Sequence, residues 1–242
     1  MSPKTELLFQ ADSYQQSCVA RVLAVDERGI QLDRTVFYAN SGGQPGDVGW
    51  LMLPHGERLA IVDTRKGEAP GEIIHVPVAG ASPPALGTEV TAGIDWQRRY
   101  RHMRFHTSLH LLSKVLAVPA TGNQIAEDKA RADFTELPGA LDKAAIERQL
   151  NALIAEGHEV RVTWIDEAEL DRRPELVRTL YALPPRGQGK LRLIDIVDTD
   201  QQPCGGTHVA NTREIGPIQV LKIENKGKEN KRVVLGFAAV SA

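Results

Sequence analysis

The segment Phe105-His-Thr-Ser-Leu-His-Leu-Leu112 predicts a helix that is apolar on nearly every side and carries two histidines. At 100° per residue, His106 and His110 fall on one stripe of this helix. Because Leu111 and Val115 occupy much of the remaining face, we expect the histidines to point into the protein. The neighbouring apolar stripe consists of Phe105, Leu109, Leu112 and Leu116.

The spacing of His106 and His110 suits a metal site. Residues i and i+4 of a helix lie ~6 Å apart along its axis, so two imidazoles there can bind one ion. Two other interpretations stay open at this point. In the first, the two histidine rings form hydrogen bonds only with backbone or carboxylate groups. In the second, His102, four residues before His106, replaces His106 or His110 as a metal ligand.

A second pair of metal-binding side chains lies in Pro203-Cys-Gly-Gly-Thr-His208. The two glycines allow the backbone to turn sharply between the cysteine and the histidine, and both residue types are zinc ligands. The two pairs together fill the four positions of a tetrahedral zinc site. We therefore predict one Zn²⁺ per chain, bound by His106, His110, Cys204 and His208.

This set of ligands leaves the role of the zinc open. Three nitrogens and a thiolate fill a structural tetrahedron, whereas a catalytic zinc keeps one position open or accepts a fifth ligand. The sequence has no His-Glu-x-x-His motif, which disfavours a metallopeptidase and leaves water as the hydrolytic base. The other cysteine, Cys18, lies in an apolar strand pattern and is predicted to be structural, because a chain of this size needs no disulfide.

Composition indicates a folded protein with no general affinity for nucleic acid. The chain has 242 residues, 42% of them hydrophobic, and its 29 Lys and Arg against 31 Asp and Glu give a net charge of −2. No stretch has the ~20 apolar residues of a membrane helix, and the first ten residues are too polar for a secretory signal. We expect a cytoplasmic protein.

Positive charge is nevertheless gathered into two runs, 98–104 and 222–232. Each run suits phosphate, and Tyr100 can stack on a base. The alternative is a solvated face on which the bases form ion pairs. Since the first run adjoins the histidine helix, we favour an anionic substrate beside the metal. The predicted RNA contacts are Arg98, Arg99, Arg101, Lys226, Lys228, Lys231 and Arg232.

The order of elements predicts two parts. Short alternating strands with turns fill the first ~95 residues, which indicates a small β-barrel or sandwich that ends in a Pro- and Gly-rich loop at 78–93. The chain then becomes α+β, with a helix over 141–156 that ends at Gly157 and a helix N-cap at Asp166. The predicted later strands are Glu159–Ile165, Leu191–Val197 and two or three between Ile215 and Val240.

The segment Thr35-Val-Phe-Tyr-Ala-Asn-Ser-Gly-Gly-Gln44 predicts a tight loop. Adjacent glycines expose backbone N–H groups, and Gln44 adds a side-chain amide, so the loop can bind a ligand. Turn chemistry alone equally supports a plain hairpin turn.

Taken together, these motifs resemble the editing domain of alanyl-tRNA synthetase and, more closely, the free-standing AlaX family in its medium form. The resemblance runs from about Thr35 to Arg232. It rests on the motifs Gly42-Gly-Gln-Pro, Asp95-Trp, Arg101-His-Met-Arg, His106-Thr-Ser-Leu-His110, Ala130-Arg-Ala-Asp-Phe134, Pro184-Pro-Arg-Gly, Leu191-Arg-Leu-Ile-Asp-Ile and Pro203-Cys-Gly-Gly-Thr-His208.

The resemblance implies an α+β fold in which an N-terminal β-barrel, at 1–94, precedes a zinc-containing α/β editing domain at 95–242 like that of threonyl- and alanyl-tRNA synthetases. It implies a deacylase that acts in trans on alanine tRNA charged with serine or with glycine, and it makes His102 a neighbour of the zinc. The implied catalytic residues are Thr107 and Gln124. The implied substrate-binding residues are Gly42, Gly43, Gln44, Arg104 and Asp133.

Two other functions share these motifs. One is a tRNA-binding module with a structural zinc, and the other is a zinc hydrolase of small-molecule esters. The second would not need both basic runs.

Overall fold

The computed structural model describes residues 4–135, 137, 140–179, 187, 189–227 and 230–239. The chain divides into two compact units, Met1–Tyr100 and Arg101–Ala242. In the part of the chain that is described, no helix has the length and apolar character needed to cross a membrane.

The first unit contains a closed barrel of six strands, as the alternating sequence pattern predicts. The strands run in the order β2-β3-β7-β6-β5-β8 around the barrel, and β1 pairs with β4 beside it. The strands of this unit are β1 (Glu6–Leu7), β2 (Ser17–Asp26), β3 (Gly29–Leu32), β4 (Arg34–Thr35), β5 (Gly49–Met52), β6 (Arg58–Lys66), β7 (Ile73–Pro77) and β8 (Glu89–Ile94).

Inward-facing aliphatic side chains fill the barrel. Ile30, Leu32 and Leu51 are completely buried in this core, and Cys18 packs against it, as a structural cysteine should. The predicted loop at 78–93 is wrong for its last five residues, which belong to a strand. Because Val90 and Ala92 alternate inward into the same core, the chain forms β8 from Glu89 onward.

The helix α1 (Trp96–Leu116) is the predicted histidine helix. The elements that follow it include two more helices, α2 (Lys143–Glu156) and α3 (Glu167–Arg172), and seven strands. The strands are β9 (Ala120–Ile125), β10 (Ala130–Thr135), β11 (Val160–Asp166), β12 (Lys190–Ile196), β13 (Asp200–Pro203), β14 (Ile218–Asn225) and β15 (Asn230–Phe237).

These strands form two antiparallel sheets. One has the order β14-β15-β10-β9 and the other the order β11-β12-β13. Leu191 and Leu193 of β12 pack with Leu170 on one side of the smaller sheet, while Arg192 between them is also buried. Residues on both sides of β12 are therefore buried from Leu191 to Ile194.

Gly157 ends α2 and Asp166 is the N-cap of α3, as the sequence signals predict, but only the N-cap of α2 uses its side chain. At α2, the Asp142 carboxylate accepts hydrogen bonds from the N–H groups of Ala144 and Ala145, and Gly157 ends the helix at φ 78°. At α3, the side chain of Asp166 makes no capping bond. The carboxylate of Glu167 instead accepts from the N–H groups of Gly187 and Gly189.

Candidate metal centre

The histidines of α1 point inward, as the helical period predicts. His106 is 4% exposed and His110 is 6% exposed. Their ring centroids lie 5.3 Å apart, which is the separation expected one turn along a helix. His102, one turn earlier, is fully buried but does not belong to the group of potential metal ligands.

The second pair of ligands lies on the loop after β13. The N–H of Gly206 donates to Sγ of Cys204 at 3.4 Å. From the adjacent strand, Nη1 of the buried Arg192 donates to the carbonyl oxygens of Cys204 and Gly206, at 2.8 and 2.9 Å. The guanidinium therefore holds both ends of the short turn that presents the thiol.

The two pairs meet in space. One potential ligand atom from each of the four residues His106, His110, Cys204 and His208 lies within 4.8 Å of all the others. Sγ of Cys204 is 3.5 Å from Nε2 of His106 and 3.4 Å from Nε2 of His208. The ring of His208 has its centroid 4.3 Å from that of His106 and 4.5 Å from that of His110.

Burial sets the protonation of this cluster. Burial, together with the smaller effect of the Arg192 charge, lowers the pKa of His106 to about 3. Burial also holds the pKa values of His110 and His208 well below the usual value, with further lowering by neighbouring histidines and Arg192. Burial raises the pKa of the Cys204 thiol. The imidazoles thus keep their lone pairs, and the thiol must release its proton when a metal binds.

The four residues fit a metal ion. Three neutral imidazoles and one sulfur converge with distances suited to a single ion between them, and they match the ligands of known zinc sites. In addition, Nδ1 of His110 is buried and has no hydrogen-bond partner among the described residues, which is unusual for a buried ring nitrogen unless a further ligand is expected. The group can therefore hold a metal.

Thr107 contacts the cluster through one of its ligands. Its hydroxyl oxygen lies 3.0 Å from Nδ1 of His208 and 3.0 Å from the carbonyl oxygen of Met103. The side chain is fully buried. Its hydroxyl is therefore engaged inside the protein, and the contact of Thr107 with substrate stays a prediction.

Three arginines before the histidines have partners within the protein. Arg98 donates to the carbonyl oxygen of Gly46, and the fully buried Arg99 binds the carboxylate of Asp47. Arg101 lies 3.7 Å from a carboxylate oxygen of Glu127. Full burial of Arg99 argues against its predicted contact with RNA, whereas Arg98 and Arg101 keep partly exposed side chains and their RNA contacts stay predictions.

Arg104 completes this pattern. Its Nε donates to the carbonyl oxygen of Ile215 at 2.8 Å, and its guanidinium carbon lies 3.9 Å from the ring centroid of Phe237. Both contacts fix α1 against the segments before β14 and at the end of β15, and the contact of Arg104 with substrate stays a prediction.

The described residues of the second basic run include the end of β14 and the start of β15, which pair with each other. Asp133 is predicted to bind substrate and Arg232 to bind tRNA. The guanidinium of Arg232 donates two hydrogen bonds of 2.7 Å to the carboxylate of Asp133. Lys226 is exposed and lies 3.9 Å from Glu224. Lys231 is partly exposed on β15. Lys228 and the motif residues 184–186 lie outside the described residues.

Gln124 lies on β9 with its side chain exposed. Nε of Arg131, on the adjacent strand, donates to its amide oxygen at 2.9 Å. This contact leaves the amide N–H groups as donors for a substrate.

The predicted Gly-Gly-Gln loop belongs to the first unit and is a two-residue hairpin turn. Ser41 and Gln44 exchange backbone hydrogen bonds of 3.1 and 3.0 Å, with Gly42 at φ 55° and Gly43 at φ 82° between them. Glycine suits both positions, since φ is positive. Gln44 is fully buried, so its amide is not exposed for a ligand as expected.

Arg192 is the residue that sequence reasoning missed. The signal was present, because a charged residue in the middle of the apolar strand Leu191–Ile196 is rare unless it has a buried partner. Its partners are loop carbonyl groups twelve and fourteen residues away, which no local pattern reveals.

Comparison with known proteins gives matches along almost the whole chain. The family model for tRNA synthetases class II (A) matches residues 4–98, and that for the threonyl and alanyl tRNA synthetase second additional domain matches residues 191–234. The alanyl-tRNA editing protein AlaX-M of Methanosarcina acetivorans is 38% identical over 240 residues, covering 95% of this chain and 97% of that protein. The chain belongs to the AlaX-M family.

Other relatives include a second AlaX-M protein and a longer alanine–tRNA ligase. AlaX-M of Saccharolobus solfataricus is 34% identical and is covered over 97% of its length. The alanine–tRNA ligase of Pyrococcus furiosus is 35% identical over 98% of this chain, which spans only 26% of the ligase. Within this AlaX-M chain, the second matched region contains Arg192, Cys204 and His208.

Proposed function

We propose that this protein is a trans-editing deacylase that removes wrongly attached serine, and also glycine, from the terminal adenosine of alanine tRNA. The observation that carries the proposal is the buried cluster of three histidines and one cysteine in a chain of the AlaX-M family. The relatives are named alanyl-tRNA editing proteins, which supports the same activity here.

The proposed reaction is hydrolysis of an ester. The oxygen of water bonds to the carbonyl carbon of the amino acid, and the bond between that carbon and the ribose oxygen breaks. The ribose oxygen takes up a proton, so the products are a free amino acid and uncharged tRNA. No aminoacylation, and therefore no ATP, is required.

We propose that His106, His110, Cys204 and His208 hold one Zn²⁺. When bound, zinc would supply Lewis acidity toward the ester and a fixed point for anchoring the substrate. The chain's own part is to present neutral imidazoles and to hold the cysteine turn in place through Arg192.

Discrimination between serine and alanine requires polar groups that only serine satisfies. A site that bonds a substrate hydroxyl can reject the analogue without it by on the order of 10⁴ to 10⁵, because its polar groups would remain unpaired. We propose Gln124 as a catalytic or recognition residue, with its amide oxygen held by Arg131 and its amide N–H groups available to the substrate.

We propose that tRNA contacts the hairpin between β14 and β15 through Lys226, Lys228 and Lys231. Arg99 is not included, since it is fully buried. The partly exposed Arg98, Arg101 and Arg232 are further proposed contacts. The exposed Gly42 offers a backbone N–H as a further contact for the substrate. We assign the catalytic role to the second unit, because it contains all four potential ligands.

The test is deacylation of alanine tRNA charged with serine, glycine or alanine, with and without a chelator. We expect release of serine and glycine, little release of alanine, and loss of activity when the metal is removed. Binding of tRNA without release of any amino acid would instead support a binding module with a structural zinc. Cleavage of free amino-acid esters at the rate of the charged tRNA would support a small-ester hydrolase.

A further inference from the structure

Thr107 occupies a special position beside the cluster. It directly follows His106 on α1, yet its hydroxyl contacts His208, which lies 101 residues later. The backbone N–H of Val209 also points at the same oxygen, at 3.4 Å. The hydroxyl therefore joins the histidine helix to the loop that carries the other pair of ligands.

The hydrogen-bond donors around Thr107 can be counted. A threonine hydroxyl has one proton to donate and two lone pairs. The carbonyl oxygen of Met103 can only accept, and the N–H of Val209 can only donate. If the hydroxyl donates to Met103 and accepts from the N–H of Val209, its second lone pair accepts a hydrogen bond from the N–H at Nδ1 of His208.

The other ring nitrogen of His208, Nε2, faces the cluster, since it lies 3.4 Å from Sγ of Cys204. A neutral imidazole with its proton on Nδ1 has its lone pair on Nε2. The arrangement in which Met103 accepts from Thr107 is thus the one in which His208 can bind a metal.

We propose that Thr107 is a positioning residue that holds His208 in the tautomer with the proton on Nδ1, so that its Nε2 lone pair faces the cluster. The inference rests on the metal site of the proposed function and reassigns Thr107 from the substrate to the site itself. Hydroxyls and carboxylates that orient metal-binding histidines in this way strongly affect metal affinity.

The side chain is suited to this task. The branched Cβ of threonine restricts its χ1 angle in a helix, so the hydroxyl is held in one of few directions. The site is fully buried, and no water is needed to complete the set of hydrogen bonds. At His110, by contrast, Nδ1 has no hydrogen-bond partner in the described part of the chain, so a fixed tautomer is specific to His208 among these two.

The experiment compares Thr107→Val, which keeps the shape and removes the hydroxyl, with Thr107→Ser, which keeps the hydroxyl. Zn²⁺ affinity is measured by competition with a chromophoric chelator, without tRNA. We expect the affinity of Thr107→Val to fall by about 10- to 100-fold and that of Thr107→Ser to stay within about threefold of the unmodified protein. Equal affinities of Thr107→Val and the unmodified protein would overturn the proposal.

A second measurement reports the tautomer itself. In ¹⁵N NMR spectra of the metal-free protein, we expect the His208 proton on Nδ1, and in Thr107→Val a shift of the population toward Nε2. A proton on Nε2 in the unmodified metal-free protein would exclude the inference even if no variant folds.

The matched control is Ser108→Ala on the same helix. Ser108 is also fully buried, but its hydroxyl donates to the carbonyl oxygen of Phe105 and contacts no ligand of the cluster. We expect its Zn²⁺ affinity and its His208 tautomer to be unchanged. Because both measurements omit tRNA, a chain that fails to deacylate but shows these results contradicts the proposed function and still supports the role of Thr107.

Discussion

The guanidinium of Arg99 binds the carboxylate of Asp47 in the interior of the first unit. Nε of Arg99 lies 3.1 and 3.0 Å from the two carboxylate oxygens, and Nη2 also donates to the same group and to the carbonyl oxygen of Val36. The arginine side chain is 0% exposed and the aspartate 1%. Asp47 additionally accepts from the N–H of Tyr38, so the pair connects the start of α1 to the segment after the Gly-Gly-Gln turn.

Arg99→Met should destabilise the protein by about 3 to 5 kcal/mol, because the charge of Asp47 would remain buried without its partner. Urea denaturation measures this loss. The control is Arg65→Met, since Arg65 pairs with Asp63 on the surface of the same barrel and such pairs contribute about 1 kcal/mol or less. Equal effects of the two substitutions would contradict the structural role of Arg99.

Arg192→Met should weaken Zn²⁺ binding by about 10- to 100-fold, because the carbonyl groups of Cys204 and Gly206 lose the donor that fixes their turn. Arg192→Lys should recover part of the loss, since a single ammonium cannot reproduce the guanidinium geometry. Arg161→Met on the adjacent strand is the control, because Arg161 pairs with Glu159 at the surface. Competition with a chelator measures all three, and unchanged affinity of Arg192→Met would refute the idea.

Cys204→Ala should abolish stoichiometric zinc and lower the rate of Ser-tRNA deacylation, since it removes the thiolate ligand. Zinc content by elemental analysis and single-turnover deacylation test both. Cys18→Ala is the matched control, because Cys18 packs against the barrel core and is not part of the cluster. Undiminished deacylation by a zinc-free Cys204→Ala would contradict a catalytic role for the metal.

Replacing Lys226, Lys228 and Lys231 with Gln should make tRNA binding less dependent on salt. Removing one lysine–phosphate ion pair reduces the steepness of log K against log salt by roughly 0.7 to 0.9. Filter binding at several salt concentrations measures the slope. Arg21→Gln, on β2 of the barrel, should leave it unchanged. If the triple variant keeps the original slope, the tRNA binds elsewhere.

Stability should fall between pH 6.5 and 4 because of His75. Nδ1 of this buried ring donates to Ile30 and the Thr35 hydroxyl donates to Nε2, while burial lowers its pKa to about 4. In that range the unfolded chain binds a proton that the folded protein does not, so acidification favours unfolding, by about 2 to 3 kcal/mol at pH 4.5.

His75→Gln removes this titration and leaves the other groups in place. The difference in unfolding free energy between the unmodified protein and the variant should therefore shrink by about that amount from pH 7 to pH 4.5. Urea denaturation at the two pH values provides the comparison. Parallel pH profiles would show that His75 is not the group responsible.

Local patterns in the sequence determined where helices begin and end and which side chains are potential metal ligands. The helical period placed His106 and His110 on the buried side of α1, and the Asp142 and Gly157 signals placed the ends of α2. The Cys-Gly-Gly-Thr-His motif indicated a turn with two more ligands. Each of these depends on neighbours within a few residues, so geometry along the chain is sufficient to predict them.

The tertiary structure decided what the polar side chains contact. Arg99 meets Asp47 across 52 residues, Arg104 meets Ile215 across 111, and Thr107 meets His208 across 101. A basic run in a sequence has the same charge whether its members face solvent or buried carboxylates. A burial cost is offset only by a partner that the fold brings close. The sequence therefore showed which residues carry charge or a hydroxyl, and only the tertiary structure showed their partners inside the protein.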